Sequence, residues 1–140
     1  MDDLERFVAA QDDSGTFAQA MSELRAGRKR SHWMWFVFPQ LAGLGQSEMS
    51  QTYAIASLEE AREYLADPVL GWRLRESAAA LLEHPGSSAE EILGGIDALK
   101  LRSSMTLFAA ADPEEPVFAR VLDAFYDGAP DEATQRLLAD

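Results

Sequence analysis

Residues that begin and end α-helices occur throughout this sequence, whereas signals for β-strands are scarce. Residues 57–60 and 88–91 both read Ser-x-Glu-Glu, a capping-box pattern that is typical of helix starts. After such starts, apolar residues recur at three- and four-residue spacing, as at Leu70, Leu74 and Ala78. This pattern predicts an all-α fold, a single compact multihelical domain over residues 1–140 with buried central helices.

The same signals predict individual helix boundaries. Glycine or proline–glycine pairs that follow an apolar run indicate helix ends, as at Gly27, Pro85-Gly86, Gly94-Gly95 and Gly128. A long helix is expected from Asp97 to Ala111, and another from Asp112-Pro113 onward. The residues predicted to cap helix amino termini are Asp2, Thr16, Ser47, Ser57, Asp67, Ser88, Asp97, Asp112 and Asp131.

One segment does not fit this pattern at first sight. Residues 31–39, Ser-His-Trp-Met-Trp-Phe-Val-Phe-Pro, are rich in aromatic and branched side chains, which favour strands. A lone strand would leave its backbone groups without hydrogen-bond partners. We therefore expect a short buried helix that ends before Pro39.

Composition excludes several kinds of site. The chain of 140 residues, with 47% hydrophobic residues, is long enough for one core without metal or disulfide support. It has no cysteine, which excludes disulfides, thiolate nucleophiles and cysteine-ligated zinc. Its two histidines do not form a metal-binding motif, so we predict no metal and no cofactor. The acidic start, Met1 to Glu5, and the lack of an uncharged run of ~20 residues predict a cytoplasmic protein that does not enter a membrane.

Two segments of this acidic chain are locally basic. The formal net charge is −12, yet residues 24–47 and 98–111 contain bases and no acids. The only two lysines of the chain, Lys29 and Lys100, lie in these segments. Because duplex DNA or RNA requires a broad positive face, we predict no duplex nucleic-acid partner. A single small anion suits two short segments better, although the bases could also serve solubility and cap helix carboxyl ends.

In the first segment, a basic cluster leads directly into the aromatic run. Lys29, Arg30 and His32 precede Trp33, so charge is expected at the edge of the core, where low dielectric strengthens electrostatic interactions. His32 is a candidate general base because its ordinary pKa is about 6.5. Trp33 and Trp35 could stack a base or a sugar. The alternative is that the histidine and both tryptophans only pack in the core.

In the second segment, polar side chains lie at the start of an otherwise uncharged helix. Asp97, Lys100, Ser103 and Ser104 share one side at helical spacing. A buried helix with such a start could line an anion pocket. Alternatively, Asp97 caps the helix, Lys100 extends outward and the serines bond to carbonyls of their own helix.

These motifs resemble a bacterial family called domain of unknown function 1810. The resemblance rests on residues 27–40, on Tyr53-Ala54-Ile55, on residues 65–70 and on residues 100–108, Lys-Leu-Arg-Ser-Ser-Met-Thr-Leu-Phe. It implies a small, mainly helical, cytosolic protein and no established activity. Members are sometimes labelled calpastatin, an inhibitor that is a largely disordered repeat protein, and this label does not suit a chain with core and capping signals throughout. Where the family commonly has Pro-Asp-Asp, this chain has Ile96-Asp97-Ala98.

Two functional hypotheses follow. The first is a pocket built from residues 28–40 and 97–104 that binds a small anionic ligand, a nucleotide or a sugar phosphate; hydrolysis or group transfer with His32 as base is its catalytic form. The second is a non-catalytic helical module that binds another protein and whose polar motif residues are structural. The candidate ligand-binding residues are Lys29, Arg30, His32, Trp33, Tyr53, Asp97, Lys100, Ser103 and Ser104.

Overall fold

The computed structural model describes residues 4–139, which form α-helices and no β-sheet. The prediction of an all-α, multihelical fold is confirmed, while the predicted cap Asp2 lies outside the described residues. A 3-10 turn, Asp13–Gly15, joins the first two helices. In chain order the helices are α1 (Glu5–Asp12), α2 (Thr16–Ala26), α3 (Met34–Val37), α4 (Glu48–Thr52), α5 (Leu58–Ala66), α6 (Leu70–Leu81), α7 (Ala89–Leu93), α8 (Gly95–Ala111), α9 (Pro116–Tyr126) and α10 (Glu132–Ala139).

Helix α8 is the centre of the fold. It packs against α5, α7, α9 and α10, and from Ser103 to Phe108 every side chain is buried. In this stretch its apolar residues are not confined to one face, as expected for a part of a helix that neighbours surround on all sides. The predicted buried central helix is therefore present, and the polar residues at its start lie where the core meets the surface.

Local signals fixed most helix ends. Ser88 and Glu91 form a complete capping box, with Glu91 N donating to Ser88 Oγ and Ser88 N donating to the Glu91 carboxylate. Ser57 caps α5 as predicted, although the Glu60 carboxylate accepts from Ala56 N instead of the cap's own N–H. Gly27 ends α2 in the left-handed conformation, with φ 78°.

Several predicted caps are wrong. Helix α2 begins at Thr16 itself, with Gly15 as its cap. Helix α8 begins at Gly95, with Gly94 as its cap, so Asp97 lies within the first turn. The extended, positive-φ backbone of Gly94 (φ 89°) lets α8 begin directly after α7 and leaves the Asp97 side chain free for other partners. Likewise, Asp112 accepts from Glu114 N in a turn, and Glu115 caps α9 before Pro116.

The aromatic segment forms the short buried helix that was expected. Helix α3 spans Met34–Val37, and Trp33, Met34, Phe36 and Phe38 are all buried. Immediately beyond Pro39, Leu41 and Ile55 form an isolated parallel bridge. The segment is thus anchored in the core, while Arg28 and Arg30, which precede it, are exposed at the surface.

Candidate functional site

A buried carboxylate, Glu23 on α2, holds the loop that follows this helix. Only 4% of Glu23 is exposed. One of its oxygens accepts from the backbone N–H groups of Arg30 (2.7 Å) and Ser31 (3.0 Å) and from the Trp33 indole (2.9 Å). The other accepts from the Ser31 hydroxyl (2.6 Å) and the Gln19 amide (2.8 Å). Five donors thus give the loop one conformation.

These donors also govern the ionisation of Glu23. Burial by itself raises the pKa of the carboxyl, but the hydrogen bonds from Ser31, the Arg30 backbone, Gln19 and Trp33 outweigh it and lower the pKa to about 2. Glu23 is not among the residues predicted from the sequence to have a role. The sequence feature that could have indicated its role is its position, because Glu23 is an acid on the predicted core face of α2, one turn from Ala20. A charge persists at such a position only if it is hydrogen-bonded.

Lys29 and Lys100 meet at the carboxylate of Asp97. Lys29 Nζ lies 2.9 Å from Asp97 Oδ2, and Lys100 Nζ lies 3.4 Å from Oδ1. The exposed side-chain fractions are 10% for Lys29, 21% for Lys100 and 17% for Asp97. Two ammonium groups and one carboxylate leave one excess positive charge in this lysine–aspartate cluster. Its charge is therefore opposite in sign to the −12 of the whole chain.

Three structural elements fix this cluster. Asp97 and Lys100 are three residues apart on α8, so their side chains are neighbours on its surface. The backbone N–H of Lys29 donates to the Ile92 carbonyl of α7 at 2.7 Å. The loop held by Glu23 is therefore also tied to α7 and, through Asp97, to α8.

Each ammonium group also lies against an indole ring. Lys29 Nζ is 5.2 Å from the centroid of Trp33, and Lys100 Nζ is 4.8 Å from that of Trp35. The Trp33 indole N–H is bonded to Glu23, whereas Trp35 Nε1 is buried and has no acceptor among residues 4–139. An unpaired buried donor costs ~1–3 kcal/mol, so an acceptor at this position would be stabilising.

An open cavity of about 400 Å³ lies beside the lysine–aspartate cluster. Its walls include Lys29, His32, Trp35 and Asp97, together with residues 93–96 at the α7–α8 junction. The first N–H groups of a helix have no carbonyl acceptor within that helix. In α8, the first backbone hydrogen bond runs from Ala98 N to the Gly94 carbonyl, so the N–H groups before Ala98 have no acceptor in their own helix. The amino-terminal end of a 17-residue helix, with its partial positive charge, therefore forms part of the wall.

The structure does not bring all of the candidate residues to this cavity. Trp33 is fully buried, and Tyr53 packs its ring against Phe7 and Phe36, at centroid distances of 5.8 and 5.3 Å. Arg30 is exposed and meets Glu23 through its backbone.

The two serines of α8 also lie away from this cavity. Ser103 Oγ donates to the Leu99 carbonyl at 3.2 Å, which is the bond to its own helix that the structural alternative expects. Ser104 is completely buried, and its hydroxyl has no partner among the described residues. Lys29, His32 and Asp97 line the cavity, and Lys100 joins them through Asp97.

Neither a metal-binding cluster nor an oriented general base lies at this cavity among the described residues. No group of histidines and acids among residues 4–139 could hold a metal ion. His32 is exposed and, within the same residues, has no hydrogen bond that would orient its ring as a general base requires.

No helix of the described chain is long and apolar enough to span a bilayer.

Comparisons with known proteins agree with the fold and do not assign a function. A solved structure, that of the conserved hypothetical protein Rv1873 from Mycobacterium tuberculosis, is similar to this chain, with 51% sequence identity and a TM-score of 0.95. The match covers 99% of this chain and 97% of that one. No protein of curated function matches significantly. The model of a family described as proteins of unknown function, DUF1810, matches residues 1–138, and the chain belongs to that family.

Proposed function

We propose that this protein binds a small phosphate-bearing anion in the cavity beside the lysine–aspartate cluster. The observation that supports the proposal is the meeting of both lysines of the chain at one carboxylate on the cavity wall. Because Asp97 neutralises only one of them, the cluster has a charge of +1 where solvent screens it poorly. An anion that enters the cavity compensates this charge.

Two neighbouring features support the same ligand chemistry. The backbone N–H groups at the start of α8 are arranged as in helix-terminal anion sites, in which amides and the helix dipole act together. His32, on the same wall, adds a ring nitrogen that can donate a hydrogen bond to an anion. Without an orienting partner for His32, the proposal is one of binding and does not extend to catalysis.

The role of Asp97 in this proposal can be tested directly. In the free protein, its carboxylate is paired with Lys29, the ammonium group that an anion bound in this cavity would contact. Asp97→Asn removes that competitor, so it should bind phosphate more tightly than the wild type while being less stable. Lys29→Met removes a cation and should bind more weakly.

The experiment is isothermal titration of the full chain with inorganic phosphate and with ribose 5-phosphate at low ionic strength. We expect Lys29→Met to weaken binding about tenfold or more, as for the loss of a charge-assisted hydrogen bond, and Asp97→Asn to strengthen it. The matched control is Arg120→Met, which removes the same charge from an exposed position on α9. No binding by the wild type, or equal binding by all of these proteins, would refute the proposal.

One observation favours the second hypothesis, a protein-interaction module. Ile96 and Leu99, on the first turns of α8, are 73% and 66% exposed. Exposed apolar side chains beside a half-buried ionic cluster are typical of a contact surface for another protein. In this case Lys100→Met would cost ~1–3 kcal/mol of stability, and the wild type would bind neither phosphate probe.

A further inference from the structure

A second cavity adjoins the one described above. Its volume is about 350 Å³, and its walls include Gln40, Ser50, Leu99, Lys100 and Asp131. Ile96 lines both cavities, and Lys100, which lines the second, is paired with Asp97, which lines the first. Each cavity falls within the size range of small-molecule sites, and the two share a wall.

Gln40 gives the second cavity an unused hydrogen-bonding group. The side chain is half-buried, and its amide has no hydrogen-bond partner among residues 4–139. By contrast, the amides of Gln11 and Gln19 are both bonded. The Gln40 backbone is fixed, because its carbonyl accepts from Ile55 N at 2.8 Å. Its side-chain amide has a donor and an acceptor side by side, which matches the edge of a nucleobase.

The remaining walls indicate how a ligand would be oriented. The second cavity adds a carboxylate, Asp131, to Lys100, whereas the first adds His32 to Lys29, so the first cavity is the more favourable of the two for a phosphate. Ile96 and Leu99 offer the second cavity apolar surface, with 73% and 66% of these residues exposed. Apolar side chains pack well against the flat face of a heterocyclic ring.

From this arrangement we infer that the ligand is a nucleoside monophosphate, with its phosphate in the first cavity beside Lys29 and its base in the second beside Gln40. This inference rests on the proposed function and adds the class of ligand to it. Ile96, between the two cavities, packs against the nucleoside. Gln40 is then the residue that distinguishes a nucleotide from a simple sugar phosphate.

The test compares ribose 5-phosphate with the four common ribonucleoside 5′-monophosphates by isothermal titration of the full chain. We expect at least one nucleotide to bind about tenfold more tightly than ribose 5-phosphate. Gln40→Ala should remove that gain and leave ribose 5-phosphate binding unchanged, since the amide contributes to base recognition alone. Gln135→Ala, at an exposed position on α10, is the matched control and should leave both affinities unchanged.

A second variant keeps the test independent of Gln40. Leu99→Ser replaces an exposed side chain that lines the second cavity and not the first, so the protein should fold normally, and it should weaken nucleotide binding several-fold without affecting ribose 5-phosphate. If ribose 5-phosphate binds but no nucleotide binds more tightly, or if the gain survives Gln40→Ala, the inference is wrong and the proposed function stands. If no phosphate-bearing probe binds, both are wrong.

Discussion

Replacing Glu23 with glutamine should destabilise the protein in a pH-dependent way. The hydrogen bonds to its carboxylate lower the pKa from 4.5 to about 2. At ~1.4 kcal/mol for each unit of pKa, this difference corresponds to about 3 kcal/mol of folding free energy near neutral pH. Glutamine is nearly the same size but has no charge and one acceptor oxygen fewer, so Glu23→Gln should lose most of this amount.

The sign of the pH dependence follows from the direction of the pKa change. A carboxyl whose pKa is lower in the folded state stabilises that state fully above its unfolded pKa of 4.5. The contribution is lost as the pH falls toward 2. At pH 3 the wild type has already lost about 2 kcal/mol of the stabilisation by the Glu23 carboxylate. The difference in unfolding free energy between the wild type and Glu23→Gln should therefore shrink from about 3 kcal/mol at pH 7 to about 1 kcal/mol at pH 3.

Urea denaturation followed by circular dichroism at pH 7 and pH 3 measures both deficits. Glu83→Gln is the matched control, because Glu83 is an exposed carboxylate with no side-chain hydrogen bond among the described residues, and it should change stability little at either pH. A deficit of Glu23→Gln that is equal at the two pH values would show that the donors around Glu23 do not depend on its charge. The reasoning about the loop would then be wrong.

Three further substitutions test the packing and the caps by thermal and urea unfolding. Gly71→Ala should destabilise by more than ~1 kcal/mol, since its Cβ would lie 2.2 Å from the Leu65 carbonyl oxygen, whereas the matched change Gly86→Ala meets no atom within 4 Å and should be nearly neutral. Ser88→Ala removes the capping box of α7 and should cost ~1 kcal/mol. Phe108→Ala should cost ~3–5 kcal/mol because a fully buried ring is lost from the core, and a loss below ~1 kcal/mol would contradict this assignment.

The sequence predicted the helices well where a boundary is set by residues close together in the chain. The capping box at Ser88 and the left-handed glycine at Gly27 need only local contacts, so their patterns are unambiguous. Asp97 and Asp112 were assigned wrongly as caps because an aspartate near a helix start is equally suited to a turn or an ion pair. At Asp97, the deciding partner is Lys29, 68 positions earlier in the chain, and no local pattern reveals it.

The candidate site was predictable only in outline. Two basic segments bordering apolar runs indicated that Lys29 and Lys100 belong near one another, and the structure brings both to Asp97. The importance of Glu23 and Gln40 was not foreseen, because it depends on which donors and acceptors the fold leaves paired or unpaired. Tyr53 was grouped with the site through the family resemblance, but its ring packs in a separate aromatic cluster.

Since the sequence contains no lysine besides Lys29 and Lys100, every ε-amine of the molecule lies at Asp97. Acylation of the two lysine side chains therefore reports on a single place, and the rate at which these side chains are labelled measures how well that place is covered. For the same reason, the protein should not be attached to a sensor surface through its lysines, because the coupling would block the cavity at which binding is to be measured.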